Sequence, residues 1–330
     1  MRNFTFKGLL LTAVFMLLGC LSIQAANDDL ITKQITIKLD KAGTLPDRIA
    51  SSKKYKITNL KIVGEINGTD WNMIREMAGR NYQESSTEGN LSVLDLSEAK
   101  IVAGGDYYYY DNLFNNKVYT SNDKIGEYAF AYCSGLTSLT LPVGITSIGE
   151  FAFSGCSGLT SLTLPAGITS IGEYAFSGCS GLTSLNLPAG ITSIDKYAFS
   201  GCSRLTSLTL PAGITWIGES AFSYCSGLTS IYVYAEKVPR IGRYAFEGCA
   251  SRKCTLYVPK GTYDNYRLSE FGYFENIVEF DATGIDKTTT STDVEEVSRY
   301  SLNGQRLVGP TKGLNIVKYS DGSVKKVAVE

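Results

Sequence analysis

Residues 156–179 read Cys156-Ser-Gly-Leu159-Thr-Ser-Leu162-Thr-Leu164-Pro165-Ala-Gly-Ile168-Thr-Ser-Ile171-Gly-Glu-Tyr-Ala175-Phe176-Ser-Gly-Cys179. The arrangement recurs on both sides: Cys133, Cys156, Cys179, Cys202 and Cys225 stand 23 apart, and Cys249 follows after 24. A fixed period of roughly 20–30 residues marks a solenoid, because each unit buries its apolar face only by stacking on the next. Within the unit Leu162 and Leu164 alternate with Ser161 and Thr163, so in a strand the leucines face inward and the hydroxyls outward. Pro165 has no N–H for the ladder and ends the strand. Ile168 and Ile171 mark a second inward segment, and Ala175, Phe176 and Cys179 fill the far corner.

Outward from this stretch the repeat degrades. Ile57-x-x-Leu60-x-Ile62 and Leu91-x-x-Leu94-x-Leu96 read as two earlier strands at longer spacing, the first followed by a helical stretch near Trp71 to Met77. Ile231-x-Val233 and Leu256-x-Val258 read as the last two. Terminal units that depart from the pattern are what capping requires, since a bare apolar stack end aggregates. Ile35 to Leu39 begins the N-terminal cap, and Thr262 is placed to N-cap a short helix running to about Ser269.

The pattern Ile-Gly-x-x-Ala-Phe-x-x-Cys-x-x-Leu-x-x-Leu-x-Leu-Pro, nearly unchanged from Ile125 to Pro211, resembles the BspA-like leucine-rich-repeat family. The expected fold is a leucine-rich-repeat solenoid, mostly β and right-handed, of 23-residue units with N- and C-terminal caps, followed by a small C-terminal β domain. The resemblance implies a surface protein that adheres to host matrix proteins and other cells.

Composition narrows the function classes. Among 330 residues there is no histidine, and 31 basic groups face 32 acidic ones. Mechanisms built on Ser–His or Cys–His pairs, and zinc sites that use histidine, are closed. A formal charge of -1 gives no electrostatic reason to expect nucleic acid or an anionic membrane as partner.

At the start of the chain Arg2 and Lys7 precede an apolar run from Leu9 to Leu18, with small residues at Ala25 and Ala26. This is the three-part pattern of a secretory leader, and it is shorter than the ~20 apolar residues of a membrane span. Two readings stand: cleavage after Ala25 or Ala26, or lipidation of Cys20 in Leu17-Leu18-Gly19-Cys20, which resembles a lipobox. Membrane association is expected only in the second case. The chain divides into a leader (1–25), an N-terminal cap with degenerate repeats (26–124), the repeats with their C-cap (125–280), a Thr-rich linker (281–296) and a β domain (297–330). That last segment carries the hairpin turn pairs Asn303-Gly304 and Asp321-Gly322. It resembles the sorting tail of proteins exported by the type IX pathway.

Residues that could carry chemistry are few. A nucleophilic cysteine needs an activating base or a cation beside it; six cysteines at one repeat position read instead as a small buried apolar column. Cys249 and Cys254, in the irregular last unit, are the pair placed to form a disulfide in an oxidising setting. Glu127, Glu150, Glu173 and Glu219 form a column interrupted by Lys196 and ended by Arg243, which reads as a solvated edge and not as a metal site.

The outward strand positions are the expected working surface. One column runs through Ser138, Ser161, Ser184, Ser207 and Ser230; the next runs through Thr140, Thr163, Asn186, Thr209, Tyr232 and Tyr257. Binding hot spots favour Trp, Tyr and Arg over Ser and Thr, which points to Tyr232, Tyr234 and Tyr257, or to Tyr107–Tyr110, as places where a ligand is held. The expected function is binding of an extracellular protein or glycan through the concave sheet, with no cofactor, no metal and no enzymatic reaction. The competing reading is a spacer or surface-coat element whose near-identical units carry no specific ligand.

Overall fold

Parallel strands stack unit upon unit, as the Leu-x-Leu alternation requires. The computed structural model describes residues 30–112, 115–282, 296–301, 306–307, 313–319 and 324–329. Ile35–Lys38, Asn59–Ile66, Val93–Ile101, Ser138–Thr140 and Ser161–Thr163 form one parallel ladder. Ser184–Asn186, Ser207–Leu210, Ser230–Val233, Thr255–Pro259 and Asn276–Phe280 form another. In register, Leu94, Leu139 and Leu162 lie over one another, as do Leu185, Leu208, Ile231 and Leu256. The second inward segment forms two-residue strands such as Ser147–Ile148 and Ser170–Ile171, which pair with their counterparts in neighbouring units.

The core is one continuous cluster of these Leu, Ile, Ala, Phe and Cys columns. Phe130, Phe153, Phe176, Phe199, Phe222 and Phe246 are buried, with successive ring centres 5.0–5.5 Å apart. Each such side chain contributes roughly 1.5–3 kcal/mol by leaving water. A second aromatic file runs along the adjacent convex corner: Tyr109, Tyr128, Phe151, Tyr174 and Tyr197 stack at 4.0–5.0 Å with planes within 8°. Tyr128, Phe151, Tyr174 and Tyr197 all have left-handed backbone, φ 53–55°. Such backbone is costly for bulky residues; here the ring stack offsets it.

Both ladders part at one level. Neither Ser161–Thr163 with Ser184–Asn186 nor Ser170–Ile171 with Ser193–Ile194 is paired. The convex side stays closed there, with Tyr174, Phe176 and Gly178 N–H donating to Lys196, Ala198 and Ser200 carbonyls at 3.0, 2.7 and 2.7 Å. One residue breaks the repeat pattern at this level. Gly149, Gly172, Gly218 and Gly242 sit so close to the unit before them that an added Cβ would stand 2.4–2.8 Å from its backbone. Asp195 holds that position at the parted level, where the units stay in contact and Thr183 N–H still donates to the Thr160 carbonyl at 3.3 Å.

The N-terminal cap is built on helix Gly68–Met77, where Asn67 and Asp70 form a reciprocal capping box. Buried Asp70 also accepts from the N–H of Gly43 and of Leu45, which ties the entry segment down. Trp71 and Arg75 are buried and donate to the Ala129 carbonyl at 3.0 and 3.1 Å. The hairpin Gly104–Asp111 with Asn116–Thr120 closes over the first regular unit, Tyr108 donating to the Glu127 carbonyl.

At the other end the expectation for Thr262 needs correction. The helix is shorter, Tyr263–Arg267, and the Thr262 hydroxyl donates backward to Pro259 carbonyl at 2.6 Å instead of accepting from the helix. Glu279 takes that role, accepting from Gly261 and Tyr263 N–H at 2.9 and 2.8 Å. A hydroxyl whose proton is engaged behind it loses to a full carboxylate at a helix start.

Glu296–Ser301, Arg306–Leu307, Gly313–Tyr319 and Val324–Val329 form a separate antiparallel sheet. Its two expected turn pairs, Cys20 and most of the linker lie outside the described residues. Among the described residues no helix is long and apolar enough to cross a membrane.

Candidate functional site on the concave sheet

Strand alternation places Thr140, Thr163 and Asn186 outward and exposed, with Thr209 half-buried below them. Register continues the file: Thr140 pairs with Thr163, Asn186 with Thr209, Thr209 with Tyr232 and Tyr232 with Tyr257. The Asp195 level falls between Thr163 and Asn186, so the hydroxyl field has a discontinuity inside it. At its upper end Lys61 reaches Asp95 at 3.4 Å and Glu98 at 2.6 Å.

Tyr232, Tyr234 and Tyr257 come together at the C-terminal end. The Tyr232 and Tyr257 rings stack at 4.4 Å with planes 6° apart, and Phe280 meets Tyr232 and Tyr234 edge-on at 6.0 and 5.1 Å. Lys326 Nζ lies 5.1 Å from the Tyr234 ring centre and donates to the Ala282 carbonyl, so the C-terminal sheet reaches this cluster. Burial, then the neighbouring Tyr257 and Tyr234, pushes the Tyr232 hydroxyl up to about 12. Burial raises Tyr234 as well. At neutral pH Tyr232 and Tyr234 therefore stay neutral phenols, suited to hydrogen bonding and to apolar contact with one partner. Tyr107–Tyr110 do not join it: they sit in the N-terminal hairpin, where Tyr108 and Tyr109 are buried and Tyr107 packs edge-on against Tyr82 at 5.4 Å.

The cysteines lie inside. All seven from Cys133 to Cys254 are buried free thiols. Cys156, Cys179, Cys202, Cys225 and Cys249 each donate to the carbonyl of a phenylalanine in the preceding unit, at 3.0–3.4 Å. Burial raises the Cys133 and Cys156 thiols and pushes Cys254 up to about 12, the opposite of an activated nucleophile. Cys249 and Cys254 stand as separate buried thiols, Cys249 donating to the Phe222 carbonyl as one more rung of the column. The glutamate column is a solvated edge, exposed at Glu127 and Glu150 and half-buried at Glu173 and Glu219; partial desolvation, then Glu127 and Glu173, raises Glu150. Among the described residues no group of three or more His, Cys, Asp or Glu side chains is placed to hold a metal ion.

Two kinds of exposed group escaped the sequence reading. Trp216 is 39% exposed, in register with Ser193 and Arg240; the replacement of the Ser at 147, 170 and 193 by tryptophan was its signal. Tyr224 and Tyr244 are exposed on the convex side, and only the left-handed backbone explains why their rings turn outward there.

A family model for the BspA type Leucine rich repeat region matches residues 107–255 in six copies. No curated protein matches the sequence. Among solved structures, a Treponema pallidum leucine-rich-repeat protein is 30% identical over 42% of this chain and 63% of its own, with a TM-score of 0.39. A Bacteroides ovatus leucine-rich-repeat protein is 26% identical over 44% of this chain and 49% of its own, TM-score 0.34. A leucine rich cell surface protein from Faecalibacterium prausnitzii is 20% identical over 74% and 87%, TM-score 0.25. The chain thus spans less than two thirds of the first two. The repeat region of this chain, residues 107–255, belongs to the BspA-type leucine-rich-repeat family.

Proposed function

We propose that this is an exported bacterial surface protein that binds a macromolecule, a host-matrix or cell-surface protein or a glycan, through the concave sheet. One observation carries the reading: of the two outward files Thr140–Thr163 and Asn186–Thr209, the second leads in register into the stacked pair Tyr232 and Tyr257. A polar field ending in a cluster of tyrosines fits an extended partner that is anchored at one end and tracked along the rest. The BspA-type repeats support surface adhesion. Export rests on the leader, by cleavage or by lipidation of Cys20, and on the tail at 297–330 as a sorting element.

The test is binding to immobilised matrix proteins and a glycan array. The Tyr232→Ala, Tyr257→Ala double variant should lose at least about tenfold in affinity with its circular dichroism unchanged. Unchanged binding removes the tyrosines. The spacer reading is favoured by the near identity of the central units, and silence across the whole array supports it. Surface display on intact cells with and without residues 297–330 tests the tail separately.

A further inference from the structure

The turn at 244–249 departs from the convex pattern of the units before it. In those units two positions have left-handed backbone. One holds Tyr128, Phe151, Tyr174 and Tyr197, whose rings cover one another's faces; the other holds Tyr132 in the first unit and then Gly155, Gly178 and Gly201. Ser220 ends the first file at φ 52° and is itself buried. Tyr244 resumes the file at φ 59° with no ring stacked on it among the described residues, and it is 61% exposed. Tyr224 takes the glycine position and lies over Gly248, as Tyr132 lies over Gly155 in the first unit, and it is 60% exposed. Tyr273, from the C-cap, donates to the Cys249 carbonyl at 2.9 Å and is 45% exposed. Three exposed tyrosines therefore surround one turn.

Tyr244 and Tyr273 line the same groove, of about 390 Å³, together with Arg243, Glu247 and Glu270. Among the described residues none of those three charged groups is in an ion pair. Ser220 shows that a small residue holds this backbone; a tyrosine there bears the strain without the ring stack that offsets it in the earlier units.

We propose that this groove binds a pyranose-containing oligosaccharide, with one sugar ring lying against Tyr244. An exposed phenol ring offers an apolar plane to the C–H face of a pyranose. The guanidinium and two carboxylates around it supply charge-assisted hydrogen bonds to ring hydroxyls. The volume falls near the lower end of the ~300–1,000 Å³ of small-ligand sites, enough for one or two sugar rings. A peptide would call for a deeper apolar pocket to take an anchor side chain. The groove is on the convex side, so it stands or falls independently of the concave site.

Saturation-transfer NMR on the full-length protein with maltohexaose, cellohexaose, mannohexaose and chitohexaose tests the proposal. At least one oligosaccharide should receive saturation, and Tyr244→Ser should weaken its Kd by about tenfold or more. That variant keeps the fold, because serine already occupies the equivalent backbone at 220. The Tyr232→Ala, Tyr257→Ala variant should bind the sugar unchanged. No transfer to any of the four, or transfer unaltered in Tyr244→Ser, overturns the assignment. So does a random-sequence peptide pool that binds through Tyr244 while every oligosaccharide stays silent.

Discussion

Asp195 stands in the place that Gly172 holds one unit earlier, and its N–H does not bond the Ile171 carbonyl. The equivalent bonds from Gly149, Gly172, Gly218 and Gly242 to Ile125, Ile148, Ile194 and Ile217 are present at 2.7–2.9 Å. The change from Gly to Asp thus coincides with the loss of pairing in both ladders, while the convex turns remain joined and Thr183 N–H still donates to the Thr160 carbonyl. In a solenoid each unit contacts only its neighbours, so stability is close to a sum of interfaces and one weak interface sets where the stack opens first.

Asp195→Gly should close the gap. The regained backbone bonds are worth about 0.5–1.5 kcal/mol each, and the added glycine costs roughly 0.5–1 kcal/mol in unfolded-chain entropy. The expected net gain is about 1 kcal/mol in denaturant unfolding. Amide exchange at Ser184–Asn186 and at residue 195 should slow by about tenfold. Exchange as fast as in the parent protein would show that the glycine position does not control the pairing.

Gly172→Ala should do the reverse one level up. Its φ lies outside the left-handed region, so alanine meets no backbone strain, yet the new Cβ would stand 2.8 Å from the Glu150 nitrogen. The expected cost is about 1–3 kcal/mol, with a new protease-sensitive site near Ser147–Ile148. Parent-like stability would mean that the units slide apart freely.

Charge at the gap gives a pH dependence. Burial, and then Glu173, raises the Asp195 carboxyl above its ordinary 3.8; burial, then Glu127 and Glu173, raises Glu150 above 4.5. A group that holds its proton more tightly when folded adds stability at acid pH, and that contribution is lost as pH rises through the folded value. Asp95 runs the other way: burial opposes its ionisation, but hydrogen bonds from Ser97 and the charge of Lys61 hold it below 3.8, so its contribution is present above 3.8 and fades on acidification. Asp195→Asn, which keeps the Cβ and removes the charge, should raise Tm by about 1–2 °C at pH 7 and by nothing at pH 3. An equal shift at both pH values would assign the effect to size instead of charge.

Much of this was legible in the sequence, because the core columns repeat in kind as well as in spacing. Leu162, Phe176 and Cys179 are apolar at every level, so periodicity alone places them. The file Tyr128–Phe151–Tyr174–Tyr197 was not legible: its rings stack from left-handed backbone at each position, and nothing in the strand alternation announces it. Asp195 was visible as a break in the Ile-Gly pair, yet its effect depends on how closely Gly172 approaches Glu150, a distance that spacing does not carry. Thr262 shows the same limit, since the partner that displaced it, Glu279, lies 17 residues downstream.

The cysteine column makes the last prediction. Because the thiols of Cys133 through Cys254 are buried and shifted upward or engaged with phenylalanine carbonyls, native protein at pH 8 should leave all seven unmodified by Ellman's reagent over minutes. In guanidinium without reductant, all seven should titrate. Five, with Cys249 and Cys254 missing from the modified peptides, would establish a bridge between them. A fast fraction in the native state would locate the weak interface, because opening at the Asp195 level uncovers Cys179 and Cys202 before the others. The Asp195→Gly variant should then suppress that fraction while leaving the denatured count unchanged.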